Sequence, residues 1–178
     1  MNINHKFINH KIQEDTKVLI IGTFHPETSP GTDFFYGRSH NYLWRLLSKA
    51  FGSEDLKDKP RGNKIEFIRR YKVDFIDLIR KINIDEGHEN NYLDKYIDNR
   101  MLEVGSEWND VVTLISNHNT IKKVCFTRQT FQGIPNIENR INKIREFCEN
   151  SGIGFQCLVT PARYYSEEKQ RNWSIFFA

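Results

Sequence analysis

The sequence of 178 residues contains no apolar run of the about 18 residues that a membrane-spanning helix needs. It also lacks both G-x-G-x-x-G and G-x-x-x-x-G-K-[ST], the two common glycine-rich phosphate loops. No Ser/His/Asp spacing or Cys/His pair suggests a covalent nucleophile. These absences argue against a membrane protein, a P-loop nucleotidase and a covalent hydrolase.

Cysteine is scarce as well. The three cysteines, Cys125, Cys148 and Cys157, lie in apolar segments and lack the spacing of metal ligands. We interpret them as small buried hydrophobic residues in a reducing compartment. The polar N-terminus has no apolar signal core. We therefore expect a cytoplasmic, monomeric protein that holds no metal and needs no cofactor.

The charge of the chain is nearly balanced. Lys and Arg number 26 against 23 Asp and Glu, which gives a formal net charge of +3. This value permits a local basic face but does not by itself indicate a nucleic-acid partner. Hydrophobic residues at 38% and charged residues at 28% are typical of a globular protein. The length predicts a single domain over residues 1–178, with residues 1–16 as a polar N-terminal arm that is either irregular or a short edge element.

Short apolar runs alternate with amphipathic segments along the chain. The runs predict strands from Val18 to Ile21, from Val73 to near Asp77, from Lys123 to Thr127 and from Phe155 to Thr160. Helical spacing predicts helices between them, including one from Glu107 to His118. This alternation predicts the α/β class, as a three-layer α/β/α sandwich around a central, mostly parallel four-stranded sheet.

The stretch from Lys17 to Phe51 organises this pattern, as a strand, a long polar loop and a helix. The loop follows the carboxyl end of a parallel strand, where open α/β sheets place their ligand crevice. Phe34, Phe35 and Tyr36 interrupt the loop, either as a lid over the core or as a stacking platform for a planar ligand. His25 is either a general acid or base, or a structural histidine.

The string GTFHPETSPGTDFFYGRSHNYLW resembles the first motif of the uracil-DNA glycosylase superfamily, in particular of its hypoxanthine-DNA (deoxyinosine) glycosylase branch. The segments VDFIDL and Thr160-Pro161-Ala162 are similar to later motifs of the same family. The chain departs from the family pattern at several positions. These are His25, Arg38-Ser39-His40, Thr127-Arg128 and Thr160.

The resemblance implies a monofunctional DNA glycosylase. Such an enzyme flips a damaged base, uracil or a deaminated purine such as hypoxanthine, out of DNA in base excision repair. It then hydrolyses the N-glycosidic bond without a cofactor. Two alternatives remain open: a non-catalytic nucleic-acid-binding protein that retains the fold, and a protein that binds free nucleobases or nucleosides.

The resemblance also assigns roles to residues. Asn41 would orient the attacking water, while His25, Thr160 and the backbone N–H groups after Gly22 would stabilise the departing base. Asp77 would accept a ring N–H of the base, unless it only caps a helix. Asn41 likewise has an alternative, as an ordinary residue in the first turn of a helix. The expected base-binding residues are Gly22, Thr23, Phe35, Tyr36 and Asp77; the expected DNA contacts are Ser29, Arg128, Ala162 and Arg163.

Overall fold

The structure, a computed structural model, describes residues 1–178 and contains seven strands and six helices. The strands are Asn2–Asn4 (β1), Val18–Gly22 (β2), Val73–Asp77 (β3), Ile79–Asn83 (β4), Glu107–Trp108 (β5), Lys123–Phe126 (β6) and Gly154–Cys157 (β7). The helices are Leu43–Ala50 (α1), Arg61–Tyr71 (α2), Asp94–Arg100 (α3), Val111–Ser116 (α4), Pro135–Asn150 (α5) and Glu167–Phe177 (α6).

The central sheet has four strands in the order β3-β2-β6-β7, and every neighbouring pair is parallel. The predicted α/β class is therefore confirmed. The last strand ends at Cys157 rather than at the predicted Thr160. Beyond it the chain turns, because the Val159 N–H donates to the Asn172 side chain and the Ala162 N–H donates to Thr160 Oγ1.

Successive residues of β2 pack into opposite layers. Leu19 and Ile21 belong to a core built with α4 and α5, whereas Ile20 belongs to a second core built with α1, α2 and α6. Side chains that alternate across a strand require apolar residues at every position when helices cover both faces. The apolar run of β2 is thus explained by the three-layer arrangement.

A second, antiparallel sheet has the order β1-β4-β5 and was not predicted. Ile79 pairs with Trp108, so the segment predicted as one helix from Glu107 begins as a strand. The helix itself starts at Val111, after Asp110 accepts a hydrogen bond from the Thr113 N–H. Ile79 and Trp108 are far apart in sequence, so their pairing leaves no local signal. The helical spacing of the apolar residues therefore predicted a helix that starts too early, at Glu107.

The N-terminal arm begins with an edge strand, one of the two forms expected for it. After β1 pairs with β4, His5 forms a β-bridge with Pro26, and the Lys6 N–H donates to the carbonyl of His25 at 2.7 Å. Lys6 Nζ donates to the carbonyl of Ser29 at 2.7 Å. The start of the chain therefore holds the long loop between β2 and α1. No helix in the protein combines the length and the apolarity required to cross a membrane.

Candidate active site

Two loops that are distant in sequence meet at the carboxyl edge of the parallel sheet. Asn41, at the end of the loop after β2, forms a β-bridge with Ala162, in the loop after β7. The Tyr42 N–H donates to the Pro161 carbonyl at 2.8 Å, and the Arg163 N–H donates to the His40 carbonyl at 2.7 Å. Backbone hydrogen bonds thus fix the two loops against each other.

A cleft of about 450 Å³ opens between these loops. The structure brings eight of the predicted site residues to its walls: Thr23, His25, Tyr36, Asn41, Arg128, Thr160, Ala162 and Arg163. Four others do not line it, namely Gly22, Ser29, Phe35 and Asp77. The cleft also takes in residues that the sequence did not single out, among them Phe24, Tyr92, Asp94 and Thr130.

The side chain of Asn41 both bonds the start of helix α1 and keeps atoms available for a ligand or water. Its Oδ1 accepts the Leu43 N–H at 2.9 Å and so satisfies a free donor at the start of α1. Its Nδ2 has no protein partner, and Asn41 lines the cleft. The helix bond fixes the rotamer of the amide, which leaves Nδ2 and the second lone pair of Oδ1 for a ligand or water.

Several hydrogen-bond donors on the cleft wall lack acceptors. The backbone N–H groups of Thr23, Phe24 and His25, which directly follow β2, donate to no protein atom. Thr160 is exposed, and its Oγ1 accepts the Ala162 N–H at 3.3 Å, so its hydroxyl proton is free to be donated. Fixed donors of this kind suit negative charge that develops on a ligand.

His25 cannot serve as the predicted donor to a departing base. Its Nε2 accepts the Tyr36 N–H at 2.9 Å, and a nitrogen that accepts from a backbone N–H carries no proton itself. The proton of the neutral ring therefore lies on Nδ1, which donates to Asp77 Oδ2 at 2.5 Å. With both nitrogens engaged, His25 acts on Tyr36 rather than on a ligand.

His5 repeats this arrangement from the N-terminal segment. Its Nδ1 accepts the Phe7 N–H at 3.0 Å, and its Nε2 donates to the same Asp77 Oδ2 at 2.8 Å. Both rings point a protonated nitrogen at the carboxylate, so in this hydrogen-bond pattern neither offers a lone pair to a metal ion there. The cluster is a buried anion held by two neutral imidazoles.

Asp77 lies beneath the cleft rather than in its wall. Its side chain is fully buried, and burial alone would raise the pKa of the carboxyl. The hydrogen bonds that His25 and His5 donate to Oδ2 outweigh burial, so the pKa of Asp77 falls well below its ordinary value. Direct contact with a base, as predicted, would require Asp77 to leave this setting, so the structure corrects its placement.

Gly22 allows Asp77 and Tyr36 to approach the end of β2. A Cβ added to Gly22 would lie 2.3 Å from Asp77 Oδ1 and 2.3 Å from Tyr36 Oη. Asp77 Oδ1 is buried without a hydrogen-bond partner. Tyr36 has φ of +57°, a strained value for a non-glycine residue, and its N–H is held by His25. Burial, aided by the charge of Asp77, raises the pKa of Tyr36 well above its usual value, so its phenol stays neutral.

Two predicted contacts belong to the protein interior instead. Phe35 is 2% exposed and stacks on Phe75 with ring centroids 5.6 Å apart, so it is part of the core. Ser29 is also buried, and its hydroxyl accepts from Arg38 Nε at 3.3 Å. Neither reaches a ligand in the cleft. The aromatic rings of the cleft wall are those of Phe24, Tyr36 and Tyr92.

The arginines of the cleft differ in what they contact. Arg128 forms an ion pair with Asp94 and donates to the Thr130 carbonyl. The Arg163 side chain is exposed and forms no hydrogen bond or ion pair with the protein. The charge of Arg128 is therefore largely compensated within the protein, whereas that of Arg163 is available to an anionic partner.

No family model matches the chain. A protein of Methanosarcina barkeri named hypoxanthine DNA glycosylase is 35% identical over 78 residues, which are 44% of this chain and 48% of that relative. The matched region thus spans about half the length of that protein. A second hypoxanthine DNA glycosylase, from Methanosarcina acetivorans, is 22% identical over 173 residues, or 93% of both chains.

A solution structure from Methanosarcina acetivorans, named provisionally as a uracil DNA glycosylase, superposes with a TM-score of 0.63. The two chains are 18% identical, and the match covers 93% of this chain and 91% of the other. The resemblance to the uracil-DNA glycosylase superfamily is confirmed. At this identity the structural match establishes the shared fold, while the two sequence relatives point to the hypoxanthine-DNA glycosylase branch.

Sequence reasoning missed residues in and beneath the cleft that come from distant segments of the chain. Asp94 is the first residue of α3 and Tyr92 lies two residues before it, whereas His5 comes from the N-terminal segment. None of them lies in a motif or in a periodic pattern. Phe24 could have been found, because it lies beside His25 in the loop after β2. The adjacent aromatic residues from Phe34 to Tyr36 were predicted as the stacking platform instead.

Proposed function

We propose that this protein is a monofunctional DNA glycosylase that removes a deaminated base, hypoxanthine or uracil, in base excision repair. The observation that supports this most strongly is the cleft in which Asn41 and Thr160 face one ligand space at the carboxyl edge of a parallel sheet. The names of the two sequence relatives favour hypoxanthine as the first base to test.

The size and lining of the cleft suit a flipped nucleotide. Extrusion of a base from duplex DNA costs about a few kcal/mol. Stacking on an aromatic ring recovers about 1–3 kcal/mol per base, and Phe24, Tyr36 and Tyr92 all line the cleft. The neutral phenol of Tyr36 can also donate to or accept from the edge of the base.

Asn41 and the free donors divide the chemistry between them. Breaking the glycosidic bond leaves positive charge on the sugar and negative charge on the base. Asn41 orients a water molecule through its amide, a role of positioning because an amide is not a base. The N–H groups of Thr23 to His25 and the hydroxyl of Thr160 would stabilise the anionic base.

The absence of a lysine from the cleft lining supports a monofunctional reaction. Lys169 lies behind the wall, where its Nζ donates to the carbonyls of Ala162 and Tyr164. Without a lysine to form a Schiff base with the sugar, water is the nucleophile and the product is an intact abasic site.

A panel of oligonucleotides tests the activity and its substrate. Duplexes and single strands that carry hypoxanthine, uracil, xanthine or a thymine mismatch are incubated with the protein and then treated with alkali. We expect strand cleavage only after alkali, and most of it at hypoxanthine or uracil. Cleavage without alkali would contradict the monofunctional reaction. Salt-dependent binding with no abasic product would favour the non-catalytic DNA-binding protein, and binding of free bases alone would favour a nucleobase-binding protein.

A further inference from the structure

Arg38 places an incompletely satisfied guanidinium in the wall of the cleft. Only its Nε has a hydrogen-bond partner in the protein, Ser29 Oγ at 3.3 Å. Its Nη2 is buried without a partner, and the guanidinium carbon lies 3.9 Å from the centre of the Tyr92 ring. Nη1 also donates to no protein atom and, unlike Nη2, is not buried, so it offers a ligand in the cleft a donor that the protein leaves unpaired.

The surroundings fix the position of this cation. Ser29 is buried, and its carbonyl accepts from Lys6 Nζ, so the partner of Arg38 Nε is itself anchored. The Asn41 N–H donates to the Arg38 carbonyl at 2.9 Å. Arg38 and the proposed water-orienting amide of Asn41 thus belong to one turn, and they reach the same cleft.

No other charged donor in the cleft is equally placed to face a buried base. Arg128 is compensated by Asp94, and Arg163 lies exposed at the mouth. His25 has no proton left to donate, because its Nδ1–H points at Asp77. Burial lowers the pKa of Arg38 from its ordinary value, but a guanidinium remains charged at neutral pH.

We propose that Arg38 is a catalytic residue that stabilises the negative charge of the departing base, an inference that rests on the proposed glycosylase function. The bond between C1′ and the base nitrogen breaks, and its electron pair stays on the base. The water held by Asn41 forms the new bond to C1′ and releases its proton to solvent. Arg38 donates hydrogen bonds to the base anion and keeps its own protons.

The chemistry of a guanidinium also favours one class of base. Hypoxanthine presents two adjacent acceptors, O6 and N7, which match the fork of an arginine. Adenine presents an amino donor in place of O6, and a guanidinium has only donors to offer it. Arg38 therefore favours the deaminated purine over its undamaged parent.

A comparison of leaving groups tests this role. Single-turnover excision is measured for uracil and 5-fluorouracil in one oligonucleotide, or for hypoxanthine and xanthine if only purines are removed. The fluorine, like the second carbonyl of xanthine, stabilises the base anion without help from the protein. We expect Arg38→Gln to slow the poorer leaving group by about 100-fold, as for other lost transition-state donors. The better leaving group should be slowed about tenfold less.

Two further variants sharpen the result. Arg38→Lys keeps the charge and should recover part of the rate on the poorer leaving group. Arg163→Gln is the matched control, and it should slow both bases equally because Arg163 lies at the mouth of the cleft. The ratio between two bases within one variant does not depend on how much of that variant is folded.

Equal losses of Arg38→Gln on both bases, with an active wild type, would overturn the role of Arg38 and leave the glycosylase function standing. A wild type that excises none of the bases would overturn the proposed function and this inference together.

Discussion

Strand β3 carries a buried aspartate near each end, and each is bonded by a histidine of the N-terminal segment. Asp74 accepts His10 Nε2 and the Phe75 N–H on Oδ1, and two donors of Gln13 on Oδ2. Asp77 accepts both of its histidines on Oδ2 and leaves Oδ1 empty.

The difference separates a structural anchor from part of a site. Asp74 is fully satisfied and fastens the N-terminal segment to the sheet. Asp77 leaves one acceptor unpaired, and through His25 it holds the strained backbone of Tyr36 in the cleft wall. The same two residue types therefore have different uses at the two ends of one strand, according to what remains unpaired.

The largest effect on the excision rate should come from removing the carboxylate of Asp77, the last residue of β3. Asp77→Ala frees His25 to rotate, so the Tyr36 N–H loses a fixed acceptor and the cleft wall shifts. Displacement of a site by about 1 Å can cost about 10²-fold in rate, and we expect a loss of that order in single-turnover excision.

The conservative variant Asp77→Asn is the control for this prediction. Its amide oxygen can accept from both histidines, so it should recover most of the rate. Asp74→Asn should leave the rate of the folded protein unchanged. Full activity of Asp77→Ala would show that the hydrogen-bonded chain from His5 to Tyr36 has no role in the reaction.

For the free energy of unfolding we expect the opposite order: substitution of Asp74 should cost more than substitution of Asp77. Asp74→Asn turns an amino group toward two donors, and each donor left unsatisfied costs about 1–3 kcal/mol. Asp77→Asn keeps both histidine bonds on its amide oxygen and can put its amino group where Oδ1 had no partner, so its loss should be the smaller of the two and should come mainly from the missing carboxylate charge. Urea unfolding of the two variants measures this. A larger loss at Asp77 would mean that Asp77 Oδ1 has a hydrogen-bond partner in the folded protein.

Acid should act on Asp77 through its depressed pKa. Because the folded pKa lies below the ordinary value of 3.8, the ionised group stabilises the fold above that pH, and this contribution is lost as the pH falls below it. The slope due to one such group is at most about 1.4 kcal/mol per pH unit. Urea unfolding between about pH 2 and 5 should show a flatter dependence for Asp77→Asn than for the wild type. Parallel curves would refute the depressed pKa.

The smallest expected effects are those on DNA binding by Arg128 and Arg163. Arg128 is paired within the protein and Arg163 is not, which is the same contrast as between Asp74 and Asp77. If Arg163 contacts a phosphate, Arg163→Gln should make the salt dependence of DNA binding shallower by about one unit. Arg128→Gln should change it less, because Asp94 already compensates Arg128. A larger change for Arg128 would show that its ion pair opens when DNA binds.

The sequence was sufficient to predict the central sheet. The two central strands, β2 and β6, are short apolar runs buried on both faces, whereas β7 at the edge is only partly buried; such apolar runs are visible without knowledge of their partners. The meeting of the loops around Asn41 and Ala162 also follows from sequence, because carboxyl ends of parallel strands share one edge.

The second sheet and the lower layer of the site could not be predicted in this way. Strand β1 has only three residues, and only its pairing with β4 identifies it as a strand. His5 bonds Asp77 across 72 positions of sequence, and nothing near His5 marks it for that contact. Phe35 and Tyr36 are adjacent and belong to one buried aromatic cluster, but only Tyr36, which has a positive φ, also lines the cleft.

The central claim is that the cleft at Asn41 performs chemistry rather than binding alone. Asn41→Ala removes the water-orienting amide and leaves the aromatic walls and the free backbone donors in place. Loss of the Leu43 cap should cost only about 1 kcal/mol of stability, which circular dichroism can check.

The decisive measurement is single-turnover excision by wild type and Asn41→Ala on one hypoxanthine or uracil duplex, beside binding to the same DNA. We expect binding to stay within a few fold while excision falls by orders of magnitude, as for an interaction formed mainly in the transition state. Equal excision by the two proteins would remove Asn41 from the mechanism, and a wild type that binds but never excises would contradict the account.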